Sequence, residues 1–187
     1  MTAPFDVTGL RIETERLILR PWQESDLPDF YAYTSDESVA IGMGWTRVDS
    51  PETAKRIFPE YRGDNESLAL ELKETGKVIG DISVQRRPWE RYPIESSLQG
   101  REFGFGIGSP YWGRGLMPEA VRAVSAYCFD TLGYDFLTCG HFFGNDKSRR
   151  VIEKCGFAHL FDAPHTLPNG KTFDISTYIM YNPHKER

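Results

Sequence analysis

The stretch from Glu102 to Phe129 constrains this chain more than any other. Glu102-Phe103-Gly104-Phe105-Gly106-Ile107-Gly108 alternates as a strand does. Tyr111-Trp112-Gly113-Arg114-Gly115-Leu116-Met117-Pro118-Glu119 then turns the chain, and Ala120 to Phe129 has the apolar content of a helix. Glycines let a backbone come close to a ligand, and the N–H groups of a first helical turn have no partner inside the helix. Strand, glycine turn and helix start in that order form an anion site, which points to a phosphate-bearing ligand. The turn is not a dinucleotide fingerprint, because the third glycine is missing and Pro118 stands where the helix begins. It is not a P-loop either, since no Gly-Lys-Ser/Thr follows.

Alternation sorts the strand into two faces. Phe103, Phe105 and Ile107 share one, which fits a core. Glu102, Gly104, Gly106 and Gly108 share the other, which reads as nearly bare apart from one carboxylate. Glycine weakens a strand, so three on one face need a reason. Close approach of a ligand, a bulge, and tight packing against a helix each supply one.

The chain has 187 residues, enough for one good core, and one domain over residues 1–187 is expected. A formal net charge of −5 argues against a general binder of nucleic acid or acidic membranes and suits a cationic substrate such as an amine. Cys128, Cys139 and Cys155 make no Cys-x-x-Cys pair, so they read as buried thiols in a reducing compartment. His141, His159, His165 and His184 show no ligand spacing, and no metal site is expected. The first residues do not resemble a signal peptide, and no run is long and apolar enough to span a bilayer. The cytoplasm is the expected location.

Other segments place the elements around the turn. Arg16 to Arg20 reads as a strand closed by Pro21. A helix should begin at Glu24 to Leu27, with Ser25 or Asp26 as its cap. Val39 to Trp45 is apolar and glycine-broken, and reads as irregular. Ser50-Pro51-Glu52 opens a second helix running to about Tyr61. Ser67 to Leu72 and Val78 to Val84 form a strand pair around a Gly76 turn, and Arg86 to Pro93 is a polar loop that reads as a lid or as a solvated connection. A strand over Phe136 to Phe142, a helix from Lys147 to Cys155, and two strands around an Asn169-Gly170 hairpin turn complete a mixed α/β order.

At the glycine turn the chain resembles the GCN5-related N-acetyltransferase (GNAT) superfamily. Trp112-Gly113-Arg114-Gly115-Leu116-Met117 is similar to its Gln/Arg-x-x-Gly-x-Gly/Ala motif, with Gly115 at the central glycine. Trp112 and Met117 depart from the pattern. Tyr-Trp-Gly-x-Gly nonetheless resembles the ribosomal-protein N-acetyltransferase (RimJ/RimL-like) branch. Glu13 to Arg20, Asn145 to Ser148 and Glu153 to Phe157 resemble it too, so the likeness covers nearly the whole chain.

The resemblance implies one GNAT domain: a mixed, mostly antiparallel seven-stranded sheet with helices on both faces, and a homodimer. It implies acetyl-coenzyme A as donor, with pyrophosphate on the backbone of Gly113, Arg114, Gly115, Leu116 and Met117. The pantetheine arm would lie along Phe105, Gly106, Ile107 and Gly108, whose N–H groups would meet the developing oxyanion. Glu102, on the ligand face, is the candidate base, with a structural ion pair as its alternative. A tyrosine that many members carry as the acid is replaced by Ile152, and Ser148 is the branch's substitute. Asn145 and Ser148 are read as cofactor-binding, although Asn145 as a helix cap and Ser148 as a first-turn residue explain them equally simply. Met43 and Trp45 would line the acceptor pocket, where a core aromatic is the other reading of Trp45.

The acceptor would be a primary amine, first of all the N-terminal α-amine of a protein or peptide. A small-molecule amine, an amino-acid conjugate or an antibiotic is one alternative, and a non-catalytic coenzyme A-binding module is another. Neutralising an α-amine of pKa about 7.7–8.0 at pH 7 costs about 1 kcal/mol, against roughly 4.6 for a lysine near 10.4. The α-amine therefore asks less of its base.

Overall fold

The computed structural model describes residues 4–86, 92–166, 170 and 172–185. Eight strands form one sheet in the order β1-β2-β3-β4-β5-β6-β8-β7. They are β1 (Ile12–Glu13), β2 (Leu17–Pro21), β3 (Ser67–Leu72), β4 (Lys77–Gln85), β5 (Gly100–Ile107), β6 (Phe136–Phe142), β7 (Ala158–Thr166) and β8 (Thr172–Tyr181). Every neighbouring pair is antiparallel except β5 and β6. Eight strands rather than seven arise because β1 pairs with β2 through only Ile12↔Leu19 and Glu13↔Ile18, too short a stretch to leave a pattern. Residues 87–91 of the polar loop read as a lid or a solvated connection, and residues 167–169 and 171 around the Asn169-Gly170 turn, lie outside the described residues.

Helices α1 (Leu27–Thr34), α2 (Glu37–Met43) and α3 (Pro51–Gly63) precede β3, α4 (Leu116–Ala126) joins β5 to β6, and α5 (Asp146–Lys154) follows β6. Leu116, Ala120, Val121 and Val124 form the buried stripe of α4 and pack in one cluster with Leu19, Leu70, Ile82 and Phe103. Burial of each large aliphatic side chain there contributes on the order of 1.5–3 kcal/mol. A smaller cluster of Trp22, Phe30, Phe58, Ala69 and Val78 seats α1 and α3 against the sheet. Ser50 caps α3 by accepting from the Thr53 N–H at 3.2 Å.

Residues 39–45, read from sequence as irregular, mostly form α2. Asp36 caps this helix by accepting from the Ser38 N–H at 3.0 Å, and Gly44 ends it at φ 71°. Seven residues do not hold a helix by themselves in water. Contacts at both ends hold this one. The Ser109 N–H, just beyond β5, donates to Asp36 at 3.2 Å, and Asn145 Nδ2, just beyond β6, donates to the Gly42 carbonyl at 3.0 Å.

Candidate active site

The parallel pair β5–β6 runs in register from Gly100↔Phe136 to Phe103↔Cys139 and stops there. β5 continues to Ile107 along β4, and β6 continues to Phe142 along β8. The two strands therefore part after Phe103 and Cys139, and their facing edges carry no ladder. The Gly108 N–H donates to Ile79 on the β4 side, so the Ile107 carbonyl of the same peptide points the other way, where Trp112 Nε1 donates to it at 2.8 Å. By alternation the N–H groups of Phe105 and Ile107 face the opening. The candidate oxyanion donors thus lie on the one edge of β5 that a ligand can reach.

The glycine turn closes the end of this opening. Gly113 and Gly115 sit at φ 74° and 77°, where a side chain would be strained. Gly115 is the N-cap of α4, and Pro118 in the first turn has no N–H to satisfy. Among the described residues, no protein acceptor takes the N–H groups of Gly113, Arg114, Gly115, Leu116 or Met117. Five successive free donors at a helix start fit a pyrophosphate. Both departures from the family motif have a structural role. Trp112 ties the turn to the end of β5 through its indole, and Met117 is 4% exposed with its side chain in the core, so it offers the ligand only its backbone.

The turn is anchored from the opposite end of the chain. Glu119 accepts from Thr14 Oγ1 at 2.5 Å, the Arg16 N–H at 2.8 Å and Arg16 Nε at 2.7 Å. Arg16 Nη1 also donates to the Arg114 carbonyl at 2.9 Å. Burial alone would raise the Glu119 pKa, but bonds from Thr14 and Arg16 outweigh it and hold the carboxyl below its usual range. Glu119 therefore stays ionised, and Arg16 balances its charge beside the turn. Lys147 on α5 lies 3.7 Å from the Trp112 ring centroid and brings a cation to the same turn. Sequence reasoning missed Lys147, and it left Arg16 and Glu119 without a role.

The glycine face of β5 is not bare, contrary to the sequence expectation. Asp81, Ser83 and Gln85 of β4 stand directly opposite Gly106, Gly104 and Glu102, so all six share a face. A Cβ on Gly104 would lie 2.7 Å from Ser83 Oγ. A Cβ on Gly106 would lie 2.6 Å from the Tyr33 hydroxyl and 3.0 Å from Met43 Sδ. Tight packing against α1 and α2 is therefore the reason for Gly106, and the face is a polar strip with helices over it. Gly108 makes only ordinary contacts at its Cβ position.

Glu102 is half-buried, receives the Tyr92 hydroxyl at 3.2 Å, and stands opposite Thr138 of β6. Thr138 is fully buried, and its hydroxyl has no partner among the described residues. Met43 and Trp45 are brought together with Tyr33 and Gly106: the Trp45 and Tyr33 rings meet edge-on at 5.6 Å. The Trp45 indole N–H is buried and likewise unpartnered among the described residues.

Asn145 caps α5 by accepting from the Ser148 N–H at 3.1 Å, while its amide holds Gly42. Its side chain thus latches α2 across the opening. Ser148 is half-buried, and no partner for its hydroxyl is found among the described residues. Ile152 is fully buried in the main core, so the residue in the tyrosine's place serves packing.

One parallel pair that splays open, with a glycine turn and a helix start at its mouth, makes a site suited to a phosphate-bearing ligand. The family model "Acetyltransferase (GNAT) domain" matches residues 16–158, and the chain belongs to that family. It is 26% identical over 180 residues to the uncharacterized N-acetyltransferase YoaA of Bacillus subtilis, covering 92% of this chain and 97% of YoaA. Its fold superposes on a GNAT-family acetyltransferase from Bacillus anthracis with a TM-score of 0.79 at 22% identity, covering 92% and 99% of the two chains. It also superposes on the ribosomal-protein-S5-alanine acetyltransferase of Vibrio fischeri with a TM-score of 0.73 at 21% identity, covering 95% and 100%. The protein is an acetyl-coenzyme A-dependent N-acetyltransferase. No helix among the described residues is long and apolar enough to cross a membrane.

Proposed function

We propose that the enzyme acetylates the N-terminal α-amine of a protein or peptide by direct attack in a ternary complex. The observation that carries the donor side is the run of five free N–H groups from Gly113 to Met117 beside the splayed edge of β5. The turn would hold the pyrophosphate, and the N–H groups of Phe105 and Ile107 would receive charge on the thioester oxygen. The donor supplies an activated acetyl group. The chain supplies position, an oxyanion site and proton acceptors.

Glu102 is the proposed residue that receives the incoming amine and takes its first proton, directly or through water. Ser148, whose hydroxyl has no partner among the described residues, is the proposed donor of a proton to the leaving sulfur, taking one back from water in the same step. The α-amine is favoured because a carboxylate base neutralises it at a cost about 3–4 kcal/mol smaller than for lysine. Similarity to an enzyme named for a ribosomal-protein alanine supports the same acceptor class.

The test is acetylation of matched peptides, one with a free N-terminus and a blocked lysine, the other reversed. Preference for the free N-terminus is expected. Equal use of both, or exclusive use of small-molecule amines, overturns the acceptor reading.

A further inference from the structure

The two strands of the parallel pair part at one definable rung. Just past β6 the Phe143 N–H donates to the Asp174 carbonyl of β8 at 2.9 Å. By alternation Cys139 and His141 also turn their backbone groups to β8, and Thr138, Gly140 and Phe142 turn theirs to β5. In β5 the Gly108 N–H is bound to Ile79 on the β4 side, so Phe103, Phe105 and Ile107 turn theirs to β6. The last bridge, Phe103↔Cys139, pairs the Gly140 N–H with the Phe103 carbonyl. The next rung would join the Phe105 N–H to the Gly140 carbonyl, and the register stops before it. Neither group has a partner among the described residues. They are the first unpaired donor and acceptor of the opening, one on each edge.

This spot is open. Gly140 is exposed although its strand is interior to the sheet. A Cβ there would lie 3.0 Å from Ile175 Cγ2 and 3.1 Å from the Ser176 carbonyl, so packing against β8 accounts for the glycine, and the missing side chain leaves the peptide uncovered. Thr138, two residues earlier on the same face, stands opposite Glu102. Two residues of strand are about 7 Å, which a glutamate side chain and one water span. Asp81, the other carboxylate of the polar strip, is 3% exposed and accepts from Tyr33 and Ser67. Burial pushes its carboxyl up, those bonds partly offset this, and Asp64 adds to it, leaving the pKa at about 6. It belongs to the packing under α1, and Glu102 is the carboxylate on the side of the opening.

We propose that the Gly140 carbonyl accepts a hydrogen of the attacking nitrogen, so that Phe105 and Gly140 hold the forming amide between them as the missing rung. This role rests on the donor placement proposed above. An amide is planar and trans, with its C=O and N–H pointing in opposite directions. Its oxygen, which begins as the thioester oxygen, meets the Phe105 N–H. Its nitrogen presents a hydrogen to the Gly140 carbonyl, which accepts a bond and takes no proton.

The hydrogens on nitrogen then have separate fates. One leaves the ammonium for Glu102 before attack and passes on to water. The N–C bond forms as an electron pair of the acyl C=O moves to oxygen, and the pair returns as the C–S bond breaks. The second proton leaves nitrogen by the same carboxylate, and the sulfur takes one proton through Ser148. One proton is released to solvent in all. The third hydrogen stays on the amide, bound to Gly140. A secondary amine gives an amide with no N–H, so the rung cannot form, and the site selects primary amines.

The test is the carbonyl carbon resonance of Gly140. Gly140-His141 is the only Gly-His pair in the chain, so isotope labels on glycine carbonyl carbon and histidine nitrogen give one signal. The protein is saturated with coenzyme A, then with a peptide acetylated on its α-nitrogen, or with the same peptide also methylated on that nitrogen. The signal should move downfield with the first peptide and keep its coenzyme A position with the second. In turnover, the free α-amino peptide should exceed its N-methyl counterpart by about 10- to 100-fold in kcat/KM, the worth of a hydrogen bond to a nitrogen gaining charge. A signal that both peptides move equally or that neither moves, or equal turnover of the two amines, overturns the proposal. If only small-molecule amines are acetylated, the acetylated amine replaces the peptide and the same shift is expected, so the acceptor reading fails while the role of Gly140 stands. Failure to bind coenzyme A removes the donor site, and the rung with it.

Discussion

Arg16 Nη2 lies 2.6 Å from Glu119 Oε2, so a residue just before β2 fixes the first turn of α4 more than a hundred positions away. The same guanidinium holds the Arg114 carbonyl. The opening motif of the chain and its glycine turn are thus one structural unit. Arg16 and Glu119 thus set the shape of the turn through their contacts with each other and with the Arg114 carbonyl.

Arg16→Ala should therefore weaken acetyl-coenzyme A binding and lower stability together. Hydrogen bonds to charged groups contribute roughly 1.5–3 kcal/mol each, and Arg16 is partly exposed, so a stability loss of about 2 kcal/mol is expected. Denaturant unfolding and calorimetry read the two effects. Unchanged donor affinity in a destabilised variant would separate the anchor from the site.

Gly106→Ala places a methyl group 2.6 Å from the Tyr33 hydroxyl. Overpacking of this kind costs about 1–3 kcal/mol. Part of the cost should vanish when Tyr33→Phe removes the hydroxyl in the same chain. The two single variants and the double form a cycle, and a coupling of at least about 0.5 kcal/mol is expected from unfolding curves. Strict additivity would mean that the two residues do not press on each other.

Asp81 predicts how stability responds to pH. Its pKa rises from 3.8 to about 6 on folding, so the native state holds this proton more tightly than the unfolded chain. That contribution is fully present below the unfolded value and is lost as pH rises through about 6. A change of about two units corresponds to about 3 kcal/mol. Asp81→Asn does not titrate. Relative to wild type it should gain stability between pH 4 and pH 7.5 by that order, as read by denaturant unfolding at both values. A difference independent of pH would show that Asp81 does not titrate in this range.

The fold was legible where the chain pattern is local. Strand alternation placed β2, β3, β4, β5 and β6, and the Ser50-Pro51 signal placed α3, because each is decided by neighbouring residues. The glycine turn was legible for the same reason. α2 was not, because Gly42 and Gly44 interrupt its pattern and its helix depends on Ser109 and Asn145 from distant segments. The glycine face of β5 misled because glycine makes room for a protein hydroxyl as readily as for a ligand. Tyr33 and Asp81 lie 48 residues apart and meet only because α1 packs on β4. The one available signal was a carboxylate within the mostly apolar run of Val78 to Val84.

Backbone amide shifts on titration with coenzyme A test the donor site most directly, because the proposed contacts there are backbone groups. The largest shifts should fall on Gly113, Arg114, Gly115, Leu116 and Met117, with a second group at Phe105 to Ile107. Shifts confined to other parts of the molecule, or none at millimolar ligand, would contradict the assignment of the turn as the phosphate site.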